Sequence, residues 1–210
     1  MHKKEETIIG RELNLHETRF VEISWTDDLE FEPKLFDCSF DDAMEGLDVY
    51  ALCLNSGFLT NEKNILFYNN FSNIDNSLLG DYGYCYLDYP GFDQCFTLIP
   101  NQLATKYDEI LFLIGRPQSR EPKNKSWINK DLLKDAVNEK CYISVTIKKI
   151  SGESYTIKNI KYDYNIYGAM VLFGFKKNNN LWSLNISHDF YLNGLSEIIE
   201  KLLKTGTNSV

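Results

Sequence analysis

Leu47-Asp48-Val49-Tyr50-Ala51-Leu52-Cys53-Leu54 is an apolar run interrupted only by the aspartate at its second position. It is too short for an average helix, it contains β-branched and aromatic side chains, and it reads as a buried strand. Ile65-Leu66-Phe67-Tyr68-Asn69-Asn70 repeats the pattern, and Gly80-Asp81 follows. The order of the pieces, with acidic residues at strand ends, carries both the fold and the functional reading.

Outward from this stretch, short segments rich in β-branched and aromatic residues recur between Gly, Asn, Asp and Pro. They predict strands near 19–25, 49–54, 65–68, 94–98, 109–114, 142–150, 154–160, 169–176 and 181–187. Ser151-Gly152-Glu153 separates two alternating runs and predicts a hairpin, and Lys177-Asn178-Asn179-Asn180 predicts another. Leu195, Ile198, Ile199, Leu202 and Leu203 fall at helical spacing, with Gly194 before them and Gly206 after Lys204. Shorter helices are expected over 131–137 and 102–106, and an exposed, charged loop over 119–125, with Pro117 and Pro122 as its breakers. The expected fold class is therefore all-β: a sandwich of two mainly antiparallel sheets, a few short helices and a C-terminal amphipathic helix. The 210 residues are read as a single domain, 1–210, with a core spanning about 13–205.

A formal net charge of -8 opposes nucleic-acid binding, which needs a cationic footprint over phosphates. The charge is uneven. Asp27, Asp28, Glu30, Glu32, Asp37, Asp41, Asp42, Glu45 and Asp48 crowd one segment, and Arg116, Arg120, Lys123, Lys125, Lys130 and Lys134 another. Five cysteines without a Cys-x-x-Cys pair fit neither a zinc ribbon nor a secreted disulfide framework, and point to a reducing cytoplasm. The start of the chain is charged, with no apolar run of signal-peptide length, and no stretch approaches the roughly 20 apolar residues of a membrane span.

Taken in order, these pieces resemble the tellurium-resistance (TerD-like) family. The resemblance rests on Val21-Glu22-Ile23-Ser24-Trp25, the aspartate-led strand at Asp48, Phe67-Tyr68-Asn69-Asn70, the loop opening at Gly80-Asp81, the strand Glu109 to Ile114, Trp182, and the helix start at Gly194-Leu195. It implies a non-catalytic cytoplasmic stress or tellurite-resistance protein, with protein partners in an assembly and peripheral membrane association. It also implies calcium, an ion that takes about six to eight oxygen ligands. Carried over position by position, the ligands would be Asp81, Asp48, Asp93 and Asp88, with Asn69 as an auxiliary oxygen. Gly46 stands where the family's Asp-x-Asp pair has its first carboxylate, and tyrosines fill much of the loop, so the shell is thinner than the family's.

Tyr82, Tyr84, Tyr86 and Tyr89 offer a metal-free alternative: alternate positions of an extended segment share one face, and a tyrosine face is suited to protein contact. Equally, it can cover the edge of the protein's own core. Asp37-x-Ser39-x-Asp41 followed by Glu45 and Asp48 has part of an EF-hand's spacing, but Asp42 occupies the glycine position and Asp48 the glutamate position. A metal-dependent hydrolase built on the four aspartates is the third reading. His2, His16 and His188 form no ligand pattern, Cys85 and Cys95 read as small buried thiols rather than reactive ones, and there is no nucleophile elbow, phosphate loop or dinucleotide fingerprint.

Overall fold

The computed structural model describes residues 15–26, 48–67, 69–81, 94–115, 140–163, 169–179, 181–187, 189–191 and 194–204. The strands are β1 (Thr18–Thr26), β2 (Asp48–Leu54), β3 (Ile65–Leu66), β4 (Leu78–Asp81), β5 (Gln94–Leu98), β6 (Glu109–Gly115), β7 (Lys140–Lys149), β8 (Ser154–Asp163), β9 (Ala169–Asn178), β10 (Leu181–Asn185) and β11 (Phe190–Tyr191), all but β4 and β11 on expected segments. Helix α1 is Pro100–Lys106 and helix α2 is Gly194–Lys204. One sheet runs β4-β5-β1-β7-β8, the other β10-β9-β6-β2-β3, with β11 beside the start of β9. Every pairing is antiparallel.

The two sheets differ in a way their sequences explain. In β5, Gln94, Phe96 and Leu98 are buried while Cys95 and Thr97 are half-exposed, the alternation of a strand with one face in the core. Strand β2 is buried along its whole length, because its second face also has a partner. Val49, Ala51 and Cys53 belong to the core between the sheets. Tyr50, Leu52 and Leu54 belong to a second apolar layer, where Leu195, Ile198, Ile199 and Leu202 of α2 pack against the sheet. The apolar stripe of that helix is thus core packing. Between the sheets, Phe112 stacks on Phe173 with ring centroids 4.6 Å apart and meets Phe96 of the opposite sheet edge-on at 5.2 Å.

Several elements depart from expectation. Strand β4 was not expected: Gly80 and Asp81 close a strand instead of opening a loop. The pattern over 65–68 shortens to Ile65–Leu66, because Phe67 and Asn70 exchange backbone hydrogen bonds across a tight turn and the Asn70 side chain donates to the Ile65 carbonyl at 2.6 Å. Helix α1 starts earlier than residue 102, since Pro100 has the fixed φ that opens a helix. Both hairpins form, with φ of 91° at Gly152 and 49° at Asn179. The helix expected over 131–137, the loop over 119–125 and the EF-hand-like spacing between 37 and 47 lie outside the described residues. Among the described residues no helix is long and apolar enough to cross a membrane.

Candidate binding site at the acidic end

Strand register places Asp48 and the backbone of Asp81 at one end of the sandwich. Asp48, the first residue of β2, lies opposite Gly115, the last of β6, which in turn lies opposite Ala169, the first of β9. In the other sheet Asp81 ends β4 opposite Cys95, Gln94 begins β5 opposite Ile23, and Thr26 ends β1 opposite Tyr142. A hydrogen bond joins the two sets: the Val49 N–H donates to Gln94 Oε1 at 2.9 Å. Strand ends flanking residues 27–47, 82–93, 116–139 and 164–168 therefore all lie here.

The roots of two of these connections are direct neighbours. Thr26 pairs with Tyr142 and Asp48 sits opposite Gly115, so residues 27–47 and 116–139 leave and rejoin the sheets side by side. The first connection carries eight acidic residues and one lysine, the second six basic and four acidic residues.

Of the expected calcium ligands, Asp48 is described in full: it is 5% exposed, and strand alternation puts it on the face of Tyr50, Leu52 and Leu54. Asp81 is placed by its backbone, opposite Cys95, the neighbour of Gln94; its side chain lies outside the described residues. Asp88, Asp93, Tyr82, Tyr84, Tyr86 and Tyr89 lie outside them as well. Asn69 is exposed in the turn after β3. Among the described residues no group of three acidic, histidine or cysteine side chains is arranged to hold a metal ion. His188 and Cys85 are outside the described residues, and Asp189 accepts from the Ser187 hydroxyl.

Gln94 is the residue that sequence reading missed. The available signal was its place at the buried parity of an alternating strand, where an amide needs a hydrogen-bond partner.

A second polar cluster supports β4 from behind. Asn73, 1% exposed, accepts from the Leu78 N–H at 2.9 Å and donates to Ser77 Oγ at 2.8 Å and to the Tyr107 hydroxyl at 3.3 Å. Tyr107 donates onward to Asn64 Oδ1 at 3.0 Å. Asp75 accepts from the Ser77 N–H at 3.0 Å and pairs with Lys106 at 3.0 Å. Burial pushes the Asp75 carboxyl upward, but the Ser77 and Lys106 hydrogen bonds outweigh it and hold the group below its usual range. Burial raises both the Tyr107 phenol and the Cys53 thiol, so both stay protonated at neutral pH. This network fixes the residues leading into β4 and so the approach to Asp81.

By sequence the chain matches no protein-family model and no curated protein. By structure it is similar to a homologue of the telluride resistance protein TerD, SCO6318 from Streptomyces coelicolor A3(2), with a TM-score of 0.52 and 12% identity. That alignment covers 92% of this chain and 99% of the homologue. A protein of unknown function, SAV2460, aligns with a TM-score of 0.49 and 13% identity over 87% of this chain and 95% of its own. The chain has the fold of a TerD homologue.

Proposed function

We propose that this chain is a divergent TerD-type protein of the cytoplasm that acts by binding, without catalysis, in a stress or tellurite-resistance assembly, and that its acidic end takes calcium weakly. The observation that carries the reading is the convergence of the roots: Asp48 and Asp81 end strands of different sheets at the same end, and the Val49–Gln94 hydrogen bond ties those sheets together there. The candidate ligands Asp81, Asp48, Asp93 and Asp88 are all hard oxygen donors, the type calcium selects. With Gly46 in place of a carboxylate, the charge available is low and the affinity correspondingly modest. The test is a calcium titration of chelator-stripped protein, followed by the double variant Asp48→Asn and Asp81→Asn. Calcium-dependent stabilisation that survives the double substitution would remove this site from consideration.

A second reading is carried by the sequence between β4 and β5, where Tyr82, Tyr84 and Tyr86 stand at alternate positions. In that reading the tyrosines between β4 and β5 bind a protein partner. Tyr84→Ala with Tyr86→Ala then releases a co-purifying partner while the melting temperature holds, and a partner retained by the folded variant counts against it.

A further inference from the structure

We draw no further inference here: the strongest candidate, the exposed apolar patch beside strand β4, where Leu79 lies opposite Thr97, Ile99 follows β5 and the Phe71 carbonyl accepts the Gly80 N–H, carries no proposal because nothing in the structure shows what covers it.

Discussion

Gln94 Oε1 accepts the Val49 N–H at 2.9 Å, joining the first residue of a strand in one sheet to the second residue of a strand in the other. Both groups are buried, so removing the acceptor leaves an N–H without water or partner. Gln94→Leu is expected to cost about 1–3 kcal/mol, seen as a lower urea midpoint with an unchanged slope. A midpoint equal to that of the wild type would mean that another group takes over the Val49 N–H.

Asn73 is predicted to matter more, because its one side chain holds the Leu78 N–H, Ser77 Oγ and the Tyr107 hydroxyl together. Asn73→Ala leaves the buried Leu78 N–H without its acceptor and takes a donor from Ser77 Oγ and the Tyr107 hydroxyl, and is expected to lower stability by about 2–4 kcal/mol in denaturant unfolding. A loss near that of an ordinary surface substitution would show that the network is dispensable.

Asp75 gives a pH dependence of definite sign. Its folded carboxyl lies below the ordinary value of 3.8, so its contribution to stability is fully present above that value and is lost as pH falls through the lower folded one. The stability difference between wild type and Asp75→Asn should be constant from about pH 5 to 7 and shrink below about pH 4. A difference that does not change through acid would contradict the charge-assisted role of Ser77 and Lys106.

Gly174 of β9 lies opposite Leu111 of β6. A Cβ there would meet the Ile110 carbonyl oxygen at 2.8 Å and Leu111 Cδ2 at 2.8 Å. The backbone oxygen cannot step aside as a side-chain tip can. Gly174→Ala is expected to destabilise by about 1–3 kcal/mol, read as a drop in melting temperature, and a neutral result would show that the strands separate at little cost.

Much of the architecture was legible because alternation and turn chemistry act locally. Val21 and Ile23, Gly152 and Asn179, and the spacing of Leu195, Ile198, Ile199 and Leu202 each declare their element without knowledge of distant residues. Strand β4 was hidden because Leu78, Leu79 and Gly80 are too few to show a period; β5 holds them by pairing and Asn73 by its side chain, both tertiary effects. Of the candidate site, the structure describes the strand-end places of Asp48 and Asp81, and the support behind them was not legible. Aspartates at strand ends are visible in a sequence, whereas the bond from Gln94 to Val49 joins residues 45 positions apart in different sheets. The side-by-side roots of the acidic and basic connections likewise follow from the register of Thr26 with Tyr142 and Asp48 with Gly115, which composition does not encode.

The most direct test of the central claim is calorimetric titration of calcium into chelator-stripped protein, paired with melting curves with and without the ion, for the wild type and for Asp48→Asn with Asp81→Asn. The account predicts weak binding with a raised melting temperature in the wild type, and loss of both in the double variant. No heat and no shift in the wild type would contradict it.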